Sequence, residues 1–182
     1  PTRTGVIEIL KQMGADLTVE NKRIAGGEPI ADIRIRGSRS LKGIHMPEDQ
    51  VPLAIDEFPA LFIAAACAEG RTILTGAAEL RVKESDRIQV MADGLETMGI
   101  DCTPTDDGII IEGKGKSGDW SAIFNGSEIE SNHDHSIAMS FSMAGLRTSG
   151  EIKIIGTETV ATSFPTFTEL ANQAGLAIQV SE

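Results

Sequence analysis

The chain has 182 residues, 41% of them hydrophobic, so it is long enough to bury a core and too apolar to be disordered by composition. Its formal net charge is −11 with no basic run, which excludes a nucleic-acid track. Its longest apolar run, residues 60–68, is far too short to cross a bilayer.

Aromatic residues make up only 4%, with no Tyr and one Trp, so a core of Ala, Ile, Leu, Val and Met is expected. Two cysteines, Cys67 and Cys102, show neither CxxC spacing nor a histidine at ligand spacing. That argues against a disulfide framework and against a zinc site. Cys67, in an Ala-rich run, is expected to be a buried small side chain. No signal peptide is visible, and a reducing cytoplasm fits.

In chain order, Val6, Ile7, Leu10 and Met13 recur at helical spacing and stop at Gly14. Strands are predicted at 16–19 and 32–35, with alternation at 33–36 implying a half-buried strand. Asp56 opens a second stretch: a helix at 59–68, Gly70, a strand at 72–74, then Gly76. A helix at 85–98 follows, with Ile88, Met91, Leu95 and Met98 on one face and Gly99 as its stop. Strands at 101–103 and 109–112 come next. Asp134 opens a third stretch: a helix at 137–146, Gly150, a strand at 151–155, then Gly156. A helix at 165–174, Gly175 and a strand at 177–180 end it.

The two aspartates lie 78 residues apart and Gly70 and Gly150 lie 80 apart, so the chain repeats itself. That period is too long for a solenoid. It predicts an α/β (α+β) fold of βαβαββ units in a pseudo-threefold arrangement. Residues 1–55 form the back half of one unit, 56–133 a second and 134–182 a third. This amounts to about two and a half units of a single domain, entered partway through.

The segment Arg81-Val82-Lys83-Glu84-Ser85-Asp86-Arg87 carries the densest chemistry. Ser85 or Asp86 is a good N-cap for the helix that follows. Capping does not account for Arg87. A cation in the first helical turn opposes the helix dipole, at a cost of roughly a few tenths of a kcal/mol, and Lys83 adds to it. An anion at the helix mouth, held by N–H groups and both cations, would offset that cost. Glu84, among these cations, is expected to be ionised unless bound substrate buries it and makes it a proton donor. Asp56 reads as the N-cap of the helix entered through Pro59, facing whatever binds at that mouth. Asp134-His135 stands at the equivalent place one repeat later, where His135 by itself is a structural or surface histidine. Glu79 and Arg81 are polar residues on the approach to the charged loop.

Residues 81–88, ending in Ile88, resemble the signature of the 5-enolpyruvylshikimate-3-phosphate synthases. Ile55-Asp56-Glu57-Phe58-Pro59, the run from Asp134-His135-Ser136-Ile137 to Phe141, and Thr162-Ser163-Phe164-Pro165 resemble three further blocks of that family, in the right order. Pro1-Thr2-Arg3-Thr4-Gly5 and Asp56-Glu57-Phe58-Pro59 are worded most like the bacterial class that tolerates glyphosate. The resemblance implies two similar domains, each of three βαβαββ units, closing on a cleft. This chain would be most of the C-terminal one.

It further implies transfer of the enolpyruvyl group of phosphoenolpyruvate to the 5-hydroxyl of shikimate 3-phosphate in a bacterial cytoplasm, with no metal or organic cofactor. Asp56 would be the base and hold the shikimate 3-phosphate ring, with Lys83 and Glu79 on the same substrate. Glu84 would be the acid, and Lys83 would lie close to both substrates. Arg87 would bind the phosphoenolpyruvate carboxylate, and His135 would line its pocket. Position 136 departs from the pattern: Ser136 stands where the family has Arg. Loss of that charge-assisted contact is worth about 1.5–3 kcal/mol. Thr162 stands where some members carry Lys.

Two other functions compete. The sister enzyme that transfers enolpyruvate to UDP-N-acetylglucosamine shares the fold but does not carry the Lys-Glu-Ser-Asp-Arg block in this form. Alternatively, the chain is a non-catalytic fragment that acts only with its complementary N-terminal half. A pure scaffold is disfavoured by the intact set Asp56, Lys83, Glu84 and Arg87. The expected partners are the two small substrates and the missing domain, not nucleic acid or membrane.

Overall fold

The computed structural model describes residues 3–37 and 41–181. The first helix, α1 (Gly5–Gln12), buries Ile9 completely, with Met13 just beyond its end. It stops at Gly14, whose φ of 91° only glycine adopts without strain. Strands β1 (Asp16–Ala25) and β2 (Glu28–Arg36) then form an antiparallel hairpin turning at Gly26-Gly27, both left-handed.

Both strands run longer than predicted. Their extensions are polar and are tied across the ladder, with Asn21 and Arg23 donating to the Asp32 carboxylate. The predicted half-burial of β2 is wrong. Every residue of β2 is exposed, including Ile33 at 54% and Ile35 at 63%. Among the described residues, β1 is the partner of β2, and Leu17 on β1 is buried while its opposite number Ile35 is not.

From Leu41 the chain runs beside a central sheet, with Lys42 and His45 forming parallel bridges to Glu69 and Ile73. One 3-10 segment (Glu48–Leu53) leads to α2 (Phe58–Ala66). This helix is apolar around its whole circumference, and burial follows: Phe58, Leu61, Phe62, Ile63, Ala65 and Ala66 all lie in the core. Strand β3 (Glu69–Leu74), a 3-10 turn (Ala78–Val82) and α3 (Arg87–Thr97) follow. Strands β4 (Cys102–Thr105) and β5 (Gly108–Lys114) complete a sheet of order β3-β5-β4, antiparallel throughout. Pro104 sits on the edge strand β4, where a missing N–H costs no ladder bond. Thr72, Leu74, Cys102, Ile109 and Ile111 are the buried side chains of this sheet, with Gly108 also buried, and α2 and α3 pack on it.

The last part alternates strand and helix. Strand β6 (Ser127–Glu130) and β7 (Ile152–Ile155) are parallel neighbours, joined through α4 (His135–Ala144) and a 3-10 turn (Gly145–Arg147). Two short helices, α5 (Val160–Ser163) and α6 (Phe167–Gln173), close the described chain. The fold is thus mixed α/β. The predicted strand at 177–180 does not form. Its alternation is real, but no ladder partner meets it among the described residues. The side chain of Asn172 instead accepts from Ile178 N and donates to Ile178 O.

Helices α3 and α4 approach closely because residue 94 has no side chain. A Cβ there would lie 2.3 Å from Cζ of Phe141, whose ring is fully buried. Ala at a helix interior gains about 1 kcal/mol over Gly, whereas overpacking a core costs roughly 1–3 kcal/mol. Gly94→Ala is therefore expected to destabilise the fold by about 1 kcal/mol or more in urea unfolding. The loss should vanish in a Phe141→Leu background.

Candidate active site

Three helix mouths meet around Arg87. At α3 the cap is Asp86: its Oδ1 accepts from Gln89 N at 3.0 Å and its Oδ2 from Arg81 Nη1 at 2.7 Å. Arg81 also donates to the backbone oxygens of Thr105 and Asp106, so it braces the loop rather than waving in solvent. Ser85 does not cap the helix; its hydroxyl donates to Asp134 Oδ2 at 3.0 Å.

Arg87 is the first residue of α3 and only 2% exposed. Its Nε donates to Asp134 Oδ2 at 2.8 Å and its Nη2 to Asp134 Oδ1 at 3.2 Å. Nη2 also reaches Glu84 Oε2 at 2.7 Å and Ser136 Oγ at 3.1 Å. Nη1 is buried and has no hydrogen-bond partner among the described residues. Its nearest opposite charge is Asp56 Oδ1 at 3.6 Å. Lys83 Nζ approaches the same oxygen at 3.3 Å and Glu79 Oε1 at 2.6 Å, so the two cations share one carboxylate oxygen.

Asp134 is fully buried. It caps α4 by accepting from Ser136 N at 2.9 Å and Ile137 N at 3.4 Å, in addition to its bonds with Arg87 and Ser85. The turn before it holds Asn132 and His133 in the left-handed region, with φ of 52° and 59°. Thr159 Oγ1 donates to His133 O, and Ser131 Oγ donates to the backbone of Ile155 and Gly156, which fixes that turn.

The sequence model of the family described as EPSP synthase (3-phosphoshikimate 1-carboxyvinyltransferase) matches residues 1–170. The chain belongs to the EPSP synthase family. It is 61% identical over 181 residues to the 3-phosphoshikimate 1-carboxyvinyltransferase of Methylococcus capsulatus and 60% identical over 182 to that of Hydrogenovibrio crunogenus. These alignments take in all of this chain and 39% of each relative. A solved EPSP synthase from Acinetobacter baumannii superposes with a TM-score of 0.99 at 88% identity, over 100% of this chain and 41% of that one. The chain thus spans about two fifths of the length of these EPSP synthases. The enolpyruvyl transferase NikO from Streptomyces tendae, at 18% identity and TM-score 0.69 over 97% of this chain, shares the fold.

Of the expected residues, the structure brings Asp56, Glu79, Lys83, Glu84, Arg87 and Ser136 into one connected set of ion pairs and hydrogen bonds. His135 stands beside Asp134 at the mouth of α4 but takes part in none of these pairs. Thr162 is exposed on α5 and donates to Thr159 O. Two expectations are corrected. Asp56 does not cap α2: Glu57 holds the cap position, without a side-chain bond, and the Asp56 carboxylate is spent on Arg3, Lys83 and Arg87. The anion that offsets Arg87 against its helix dipole is also internal, namely Asp134. Sequence reasoning missed it because the pair spans 47 residues. Its one signal was the Asp-His placed a repeat beyond Asp56. Pro1 and Thr2, part of the glyphosate-tolerant wording, lie outside the described residues.

The electrostatics follow the pairing. At Asp134 burial works to raise the carboxyl pKa, but the Arg87 bond and charge, the Ser85 hydroxyl and the Ser136 amide outweigh it and leave it lowered. At Asp56 burial is likewise overcome, chiefly by Lys83 and then by Arg3 and Arg87. Glu79 and then Asp56 hold the Lys83 ammonium above its ordinary value. The thiols are inert: burial pushes Cys67, half-buried rather than buried as expected, to about 11 and Cys102 to about 12.

A carboxyl with a lowered folded-state pKa stabilises the fold above its unfolded value of about 3.9, and that contribution is lost as pH falls through the folded value. Unfolding free energy is therefore expected to drop on acidification below about pH 4. Asp134→Asn should flatten that slope and, by taking from Arg87 the counter-charge that is buried with it and leaving the more exposed Glu84 and Asp56, cost up to about 3–5 kcal/mol at neutral pH. Denaturant titrations between pH 7 and pH 3 measure both effects.

Proposed function

We propose that this chain, together with the length its relatives carry beyond it, transfers the enolpyruvyl group of phosphoenolpyruvate to the 5-hydroxyl of shikimate 3-phosphate and releases phosphate. The observation that carries this is the convergence of Asp56, Lys83, Glu84 and Arg87 in one ion-pair network, with Arg87 Nη1 lacking a hydrogen bond among the described residues and sharing the Asp56 carboxylate with Lys83. The reaction needs a base for a hydroxyl, an acid for a methylene carbon and cations for two anionic substrates. Asp56, held ionised by Lys83, takes the hydroxyl proton and holds the shikimate ring, with Glu79 and Lys83 beside it. Glu84 protonates the methylene carbon. The oxygen adds to the carbon bearing phosphate, giving a tetrahedral ketal. Loss of phosphate with return of a methyl proton to a carboxylate restores the enol ether. Arg87 holds the phosphoenolpyruvate carboxylate, and His135 lines that side.

We also assign the chain to the C-terminal domain and to the glyphosate-tolerant bacterial class, acting in the bacterial cytoplasm. Its units are counted from Asp56 and Asp134 in a pseudo-threefold arrangement. The Lys83-to-Arg87 block and the kinship of the relatives support this acceptor over UDP-N-acetylglucosamine. Phosphate release measured with each acceptor in turn tests that choice, and turnover with the nucleotide sugar alone would refute it.

The chain by itself is expected to be inactive, because its net charge of −11 is a poor field for two polyanions and supplies few of the cations they need. Mixing it with the complementary part of an EPSP synthase should restore turnover; turnover by the chain alone would contradict this. In that assembly Ser136→Arg should lower KM for phosphoenolpyruvate about 10- to 100-fold, the equivalent of one charge-assisted contact. An unchanged KM would show that position 136 does not limit binding.

A further inference from the structure

We propose that Asp134 is a positioning residue for the reaction: it locks the Arg87 guanidinium so that its Nη1 side is presented to the substrate carboxylate. The proposal rests on the role given to Arg87 above. A guanidinium has five N–H donors in a rigid fork, and a carboxylate uses two of them along one edge. Asp134 occupies the Nε–Nη2 edge with both oxygens. What is left is Nη1, buried and without a hydrogen bond among the described residues, on the side of Asp56 Oδ1, the oxygen that Lys83 Nζ also approaches.

The carboxylate is itself fixed. Its two oxygens accept from Arg87, Ser85, Ser136 and Ile137, and the left-handed pair Asn132-His133 sets its approach. Asp134 is fully buried, whereas Glu84, the other strong partner of Arg87, is 52% exposed. Without Asp134, the fork would turn its Nε edge toward Asp56 or Glu84. It would then bind more closely the groups assigned as base and acid, which it already meets through Nη1 and Nη2, and lose its aim at the substrate.

Asn caps a helix as well as Asp does, so Asp134→Asn removes the charge while keeping an acceptor for Ser136 N and Ile137 N. On this chain, 15N-resolved hydrogen exchange should show Arg87 Nε–H protected in the parent. In the variant its exchange should accelerate at least tenfold more than that of the Val90 and Phe141 amides, which register the loss of global stability. Equal protection of Nε–H in both would overturn the proposal. So would loss of protection throughout α4, which would make Asp134 a cap alone.

In the assembled enzyme, Asp134→Asn should raise KM for phosphoenolpyruvate at least tenfold, with KM for shikimate 3-phosphate within twofold. It should have no further effect in an Arg87→Lys background. A fall in kcat with both KM values unchanged would mark lost folded fraction and also overturn it. If Arg87→Lys alone leaves KM for phosphoenolpyruvate unaltered, the role of Arg87 in binding fails, whatever the exchange data show about its fixation.

Discussion

The buried pair between Arg87 and Asp134 is the constraint on which the site is built. Each ion is costly to bury alone, by several kcal/mol, and the geometry must be good to offset that. Here the two partners are unequal with respect to their helices. Asp134 sits at the N-terminus of α4, where the dipole and two free N–H groups favour a carboxylate. Arg87 sits in the first turn of α3, where the dipole opposes it. The pair therefore ties the mouth of one helix to the mouth of the other. Lower down, Gly94 admits the ring of Phe141, so the same two helices are fixed again by packing. A polar contact above and a steric one below leave little freedom for the angle between them.

Around this pair the charges of the site are matched among themselves. Lys83 is paired with Glu79 and Asp56, and Arg87 with Glu84 as well as Asp134. Magnitudes decide which partners yield to an incoming anion. Exposed ion pairs are worth about 0.2–1 kcal/mol, and Glu79 and Glu84 are 61% and 52% exposed. Breaking the Asp134 pair costs several times more. On the proposed function, a substrate carboxylate would displace Glu84 and Glu79 and leave Asp134 in place. On the proposed mechanism, the displaced Glu84 is the group that must give up a proton.

What was legible in the sequence was local. Helix α3 announced itself through Ile88, Met91 and Leu95 on one face, Asp86 as cap and Gly99 as stop, each within a few residues of the others. What was hidden was pairing across distance. The polar ends of β1 and β2 carry no apolar alternation and become strand through ties between Asn21, Arg23 and Asp32. Residues 177–180 have the alternation but meet no ladder. Asp56 looked like a cap because a Pro follows three residues on, yet the helix starts at Phe58 and three cations claim the carboxylate. The candidate residues were found by motif; how they bind one another was not, since α3 and the strands β4, β5 and β6 separate Arg87 from Asp134 along the chain.

The hairpin β1–β2 bears on why the chain and its activity are proposed to be completed by the same added length. Strand β5 is flanked by β3 and β4 and covered by α2, and its isoleucines Ile109 and Ile111 are buried. Strand β2 follows α1 as β5 follows α3, within a hairpin of the same antiparallel sense, yet it has one neighbour and leaves Ile33 and Ile35 in water. At about 25 cal/mol per Å², covering such side chains is a real stabilisation. Its charged residues Arg34 and Arg36 and the net −11 of the chain oppose pairing with a second copy, as guarded edges do. Arg3, just ahead of α1, holds Asp56, so the segment that leads into this hairpin also reaches the carboxylate proposed as base.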